Sequence, residues 1–157
     1  MMSKFSWESL GKLQLGKYAE YYAKMEFTKH GFEVYSSEVD DHGIDFVAKR
    51  PGTSRFYEVQ VKSKRPSGSI FMNKDDMALD EYHLLCCICF GQTELPDVYV
   101  IPMTEWKNKD NYPTISESIG KQTKPAWTVN FSKKNLKALE KFKIDNVLDE
   151  IISKEVT

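Results

Sequence analysis

The stretch FYEVQVK, residues 56–62, is the most constraining feature of the chain. Side chains two apart in an extended segment share a face. An acid, an amide and an amine (Glu58, Gln60 and Lys62) therefore line one side, and Tyr57, Val59 and Val61 line the other. The apolar side asks for a packed layer beneath a sheet. The polar side raises a problem, because a row of charges on a buried strand face costs several kcal/mol unless each charge is paired or metal-bound. Asp45, in HGIDF, lies about one hairpin upstream and supplies a second acid.

The rest of the chain can provide that layer. Of its 157 residues, 41% are apolar and 13% aromatic, which suits one folded domain. We expect a single domain over 1–157, with a core at about 11–101 and a C-terminal extension at about 102–157. Lysine and arginine total 22 against 23 acids, so a net charge of −1 gives no chain-wide attraction to a polyanion. Contact with one would need a local patch or a bound cation. No run approaches the roughly 20 apolar residues of a membrane span, and MMSKFSWESL lacks the apolar centre of a secretion signal, so the expected location is cytoplasmic, without membrane association.

Cys86, Cys87 and Cys89 crowd into HLLCCICF, which argues against a disulfide framework. Only Cys87 and Cys89 could approach one ion from a strand, and no second pair completes a tetrahedral set. They read as small buried residues of a central strand.

Helical spacing without proline predicts a helix over 13–29, ended by His30 and Gly31, with Gly16, Ala19, Glu20, Ala23 and Phe27 on one face. Strands follow at 32–37, 44–48 and 56–63, separated by DDHG and PGT turns. KRPSGS turns, and NKDDMALDEYH is read as a short crossover helix. HLLCCICF and DVYVIP are strands, the stretch after them is largely irregular, and WTVNF is an edge strand. Ser132 and Asp145 are placed as caps of two C-terminal helices.

A helix carrying GKYAE, an aspartate on the second strand and a lysine on the third, about 15 residues later, together resemble the core of the PD-(D/E)XK nuclease superfamily over residues 11–101. Within it, GID followed by QVK looks nearest to a branch that includes type IV restriction enzymes, resolvase-like proteins and bacterial domains. The resemblance implies a restriction-endonuclease-like α/β fold, a mixed central sheet flanked by helices in α-β-β-β-α-β order, with C-terminal helices. It also implies phosphodiester hydrolysis with magnesium or manganese. Asp45 would be the central metal ligand, Glu20 would hold the outer water shell or a second ion, the Val61 carbonyl could add an oxygen, and Lys62 would stand beside the attacking water.

Two positions depart from that pattern. Ile44 replaces the name-giving proline, which is not a ligand. Gln60 replaces an acid, and an amide oxygen can ligate a cation but brings no charge. Glu58, about 7 Å away along the strand, is a candidate to restore it. Asp40, Asp41 and His42 are read as turn residues and His83 as a strand flank.

Lys64, Arg65 and Arg50 are the expected nucleic-acid contacts, probing phosphates beside the site, with DNA the expected partner. Lys133, Lys134, Lys137 and Lys141 read as a solvated face, and Tyr21, Tyr22, Trp106 and Trp127 as core aromatics. Cutting two strands with this fold would call for two sites, hence a homodimer. The missing acid at Gln60 leaves open a non-cutting nucleic-acid-binding or assembly module, and a purely protein-binding role is a third reading.

Overall fold

Apolar residues at every fourth position build the first helix, α1 (Lys12–Lys29): Leu15, Ala19, Ala23 and Phe27 are its buried residues. Alanine at two of these positions lets the backbone lie close to the strands beneath. Gly16, expected on the same face, is exposed, because Leu15 takes its place. The computed structural model describes residues 6–36, 38, 43–66 and 68–154. At the start of α1 the Gly11 N–H donates to Gln14 Oε1 at 3.0 Å. After its end Gly31 takes a φ of +90°, a conformation that glycine enters freely.

The meander follows as β1 (Glu33–Ser36), β2 (Phe46–Lys49) and β3 (Phe56–Lys64), each antiparallel to the next. Ser37 and the turn residues Asp40, Asp41 and His42 lie outside the described residues. β3 then pairs in parallel with β5 (His83–Cys89), and β5 pairs antiparallel with β6 (Asp97–Pro102). The central sheet is thus mixed, in the order β1-β2-β3-β5-β6.

A parallel neighbour requires a crossover, and here the structure corrects the expected helix over 73–83. The chain instead forms β4 (Ser69–Asn73) and a series of turns. Asn73 Oδ1 accepts from the Asp75 N–H at 3.0 Å, and Asp80 Oδ1 accepts from the Tyr82 N–H at 2.9 Å. Short polar side chains that bond the backbone two residues on stabilise turns at the expense of helix.

β4 belongs to a second sheet, β4-β8-β7, with β7 (Ile115–Ser118) and β8 (Ala126–Asn130). β8 is its middle strand, with Thr128 and Val129 buried, and not the edge strand expected. β7 arises within the stretch read as irregular. Ser132 does not cap a continuous helix either. Residues 133–142 form two 3-10 turns around the four-residue α2 (Leu136–Leu139), fastened by buried Asn135, whose Nδ2 donates to Ser132 Oγ at 3.1 Å. Asp145 falls inside the first turn of α3 (Ile144–Ser153), where its Oδ1 meets His30 Nε2 at 2.9 Å and ties α3 to the end of α1.

The central sheet therefore has two unlike faces. Phe46 and Val59 are cross-strand partners, and the Phe27 ring meets Phe46 at 5.3 Å, so α1 covers their face. α3 lies over the same face, where Val147 and Ile151 share a 250 Å³ cavity with Tyr57 and Leu84. Glu58, Gln60 and Lys62 alternate onto the other face. Over β6 that face is covered by Phe131, just after β8, whose ring meets Tyr99 at 5.2 Å. Among the described residues no helix is long and apolar enough to cross a membrane.

Candidate functional site

Gly43 delivers the chain to the site. Its φ is +73°, and a Cβ there would approach the Asp76 Cβ to 3.0 Å, so both conformation and space favour glycine. Asp45, one residue before β2, donates its N–H to the Val59 carbonyl at 2.9 Å and accepts the Val61 N–H on Oδ2 at 2.6 Å. Its carboxylate thus fills a ladder position that β2 does not reach. Asp45 is fastened to β3 on both sides of Gln60.

Gln60 is 5% exposed, and among the described residues its Oε1 has no hydrogen-bond donor. Leaving a buried amide oxygen unsatisfied costs about 1–3 kcal/mol. A hard cation bound through oxygen atoms would use it, and the register that pairs Phe46 with Val59 brings Asp45 opposite Gln60. These two residues fit such an ion. Val61 is half-buried with its N–H on Asp45, and Lys62, half-buried one pleat beyond Gln60, makes no ion pair among the described residues.

The other acids are engaged elsewhere. Glu20 stands between Lys24, at 3.3 Å, and Lys17, at 3.7 Å, on the helix that covers the opposite sheet face. Among the described residues no group of three or more His, Cys, Asp or Glu side chains gathers as a metal-binding cluster.

Glu58 is held by a histidine that the sequence left as a strand flank. Its Oε2 lies 2.5 Å from His83 Nε2, and His83 Nδ1 lies 2.6 Å from Asp80 Oδ1. Burial alone would raise the Asp80 pKa, but hydrogen bonds from His83 and the Tyr82 N–H lower it below the ordinary value. The spacing D-E-Y-H hinted at the Asp80–His83 contact. The contact to Glu58 comes from the parallel register, Glu58 opposite His83, which no local pattern announces.

The expected nucleic-acid contacts divide. Arg50 is buried, and its guanidinium donates to the carbonyls of Ile152, at 2.8 Å, and Lys154, so its charge completes the end of α3. Arg65 donates to the Trp7 carbonyl at 3.1 Å and the Leu10 carbonyl at 2.8 Å, anchoring the N-terminal segment. Their hydrogen bonds explain both arginines as anchors of the fold. Lys64 is half-buried, donates to the Arg65 carbonyl at 2.7 Å and lies over the Phe131 ring. Lys133, Lys134, Lys137 and Lys141 are exposed, as a solvated face should be, and Trp106 is core, whereas Tyr21 is 56% exposed. Burial pushes the thiols of Cys86 and Cys87 well up and that of Cys89 to about 12, as expected of structural cysteines.

No protein-family model and no curated protein matches the chain. Solved structures do. A bacterial homing endonuclease is similar with a TM-score of 0.57 and 17% identity, over 94% of this chain and 100% of that one. Hjc, a Holliday junction resolvase from the archaeal hyperthermophile Archaeoglobus fulgidus, is similar with a TM-score of 0.52 and 13% identity, over 85% of this chain and 95% of its own. At such identities the likeness speaks to architecture alone. The chain has a restriction-endonuclease-like fold: a mixed central sheet, flanking helices and a helical C-terminus.

Proposed function

We propose that this chain is a divalent-cation-dependent nuclease that hydrolyses phosphodiester bonds in DNA. The observation that carries the reading is the buried Gln60 Oε1, without a donor among the described residues, beside an aspartate clasped to both flanking residues of its strand. Asp45 and Gln60 would hold magnesium or manganese, with the Val61 carbonyl adding an oxygen; Glu20, between two lysines on the helix over the opposite face, stands outside this set. Such an ion, when bound, polarises a phosphoryl oxygen and makes water a stronger nucleophile. The chain's own part is positional and electrostatic. The Val61 N–H holds the Asp45 carboxylate and the Asp45 N–H fastens its backbone to Val59, and Lys62, without an ion pair among the described residues, offers positive charge to the oxygen on which negative charge develops. Lys64 adds charge for the flanking phosphate. A homodimer would present one such site to each strand of a duplex.

The test is calorimetric titration of magnesium and manganese into the parent and Asp45→Ala proteins, beside a cleavage assay on plasmid DNA. Saturable binding and cleavage, both lost in the variant, support the reading. Cleavage unchanged in both Asp45→Ala and Lys62→Ala overturns it.

The engagement of Glu20 by lysines and of Glu58 by His83 favours a second reading, a nuclease-fold module that binds nucleic acid without cutting. It predicts metal-independent binding that survives Asp45→Ala.

A further inference from the structure

The central sheet leaves part of one face open, and that part is aromatic. Tyr35 on β1 is 49% exposed and Phe56 on β3 is 45% exposed, with their rings 6.1 Å apart across β2. Phe56 alternates onto the face of Glu58, Gln60 and Lys62. Beside it Arg55, Phe56 and Tyr82 line a shallow cleft of 340 Å³ with Ser54, and the Arg55 guanidinium lies over the Tyr82 ring at 5.4 Å. From Phe56 to Lys62 the strand runs about 20 Å.

The charges on this face are not balanced alike. Among the described residues, the acids Glu33 and Glu58 there are held. Glu33 takes Lys49 at 3.7 Å and the Tyr35 hydroxyl at 2.8 Å, and Glu58 takes His83. Lys62 has no carboxylate partner among the described residues, and Arg55, at the end of the sheet, borders both this cleft and the cavity on the opposite face with Tyr57 and Leu84. Exposed rings on the face of Lys62, with Arg55 at the sheet's end, match a ligand that alternates π-faces with negative charge. Bases within a duplex have already stacked on each other, whereas unpaired bases offer their faces to protein rings. A second copy fits less well, since a twofold axis sets a patch against itself and would repeat Arg55 and Lys62 without adding free acids.

Resting on the nuclease reading, we propose that this face seats unpaired bases of the nucleic-acid substrate. Tyr35 and Phe56 stack on bases, Arg55 and Tyr82 extend the platform, and Lys62 stands where the backbone reaches the Asp45–Gln60 site. The substrate class is then a single strand, or a duplex with a single-stranded or branched portion.

The test measures binding of a labelled single-stranded oligonucleotide, and of the same sequence fully paired, to the full chain in EDTA, where no cation contributes. The parent should prefer the single strand. Phe56→Ala and Tyr35→Ala should each weaken single-strand binding about tenfold and leave duplex binding within about twofold. Phe56→Trp, which restores a ring, should recover the affinity. Single-strand binding unchanged in both alanine variants, or a parent that prefers duplex, overturns this inference while leaving the nuclease reading standing. A parent that binds neither form and does not cleave in magnesium removes both. Concentration-dependent self-association lost in Phe56→Ala would assign the face to a second copy and overturn the proposal.

Discussion

Glu58 and Gln60 sit on the same face of the same strand, one pleat apart, and the fold treats them in opposite ways. Glu58, with its side chain 43% exposed, is met by a histidine that is itself held by Asp80. Gln60, at 5% exposure, is given no donor for its Oε1 among the described residues. A charge near water could have been left to solvent at little cost, yet it is paired. A buried amide oxygen, which costs more to leave alone, is left alone. The difference is one of remaining capacity: Glu58 is already paired, while Gln60 Oε1 has a lone pair left that a bound ion could use.

The sharpest way to break this comparison is to disable each end in turn. Lys62→Ala at the open end should lower cleavage about 100- to 1,000-fold with little change in Tm, in line with the loss of one donor to a developing oxyanion. Glu58→Gln should retain most of the cleavage rate. If it abolishes cleavage as thoroughly as Lys62→Ala, the two ends are not distinct and Glu58 belongs to the site.

Next in size is a trade between stability and ion affinity at Gln60. Gln60→Leu removes the unsatisfied oxygen with little change of shape, so it should raise stability by about 1 kcal/mol in chelator. Ion binding should fall in the same variant. A destabilised Gln60→Leu would mean that the amide is already satisfied by the protein.

At the closed end, His83→Ala strands Glu58 and Asp80 together and should cost about 1 kcal/mol in urea denaturation, a modest value because both carboxylates reach solvent. The smallest effect is one of pH. The lowered Asp80 pKa means that the stability from its ionised form is present above the unfolded value, about 3.9, and lost as pH falls through the lower folded value. Asp80→Asn should therefore flatten the decline of Tm between about pH 4 and the acid limit. An unchanged acid limb would show that His83 does not hold Asp80 in solution.

Much of the site could be read in the chain because its signals are local. Alternation in FYEVQVK placed Gln60 and Lys62 together, DDHG announced a turn at whose end Gly43 takes a positive φ, and the fourfold spacing of Leu15, Ala19, Ala23 and Phe27 made α1. The crossover was misread because NKDDMALDEYH carries residues tolerable in a helix, and only the Asn73 and Asp80 side-chain bonds reveal the turns. WTVNF looked like an edge strand because its neighbours β4 and β7 lie about 55 and 10 residues away and are short. Arg50 and Arg65 looked like phosphate ligands because a sequence shows charge but not the carbonyls that receive it.

By itself, then, the sequence determined the local periodicities: which segments extend, which coil, and which side chains share a strand face, since these follow from backbone geometry over a few residues. The tertiary structure alone decided partnership. It gave Glu58 a histidine across a parallel register, buried Arg50 under the end of α3, seated Asp45 against β3, and gave Gln60 Oε1 no donor among the described residues. Partnership depends on approach between segments distant in the chain, and side-chain chemistry sets what a residue can bond without fixing what the fold will bring to it.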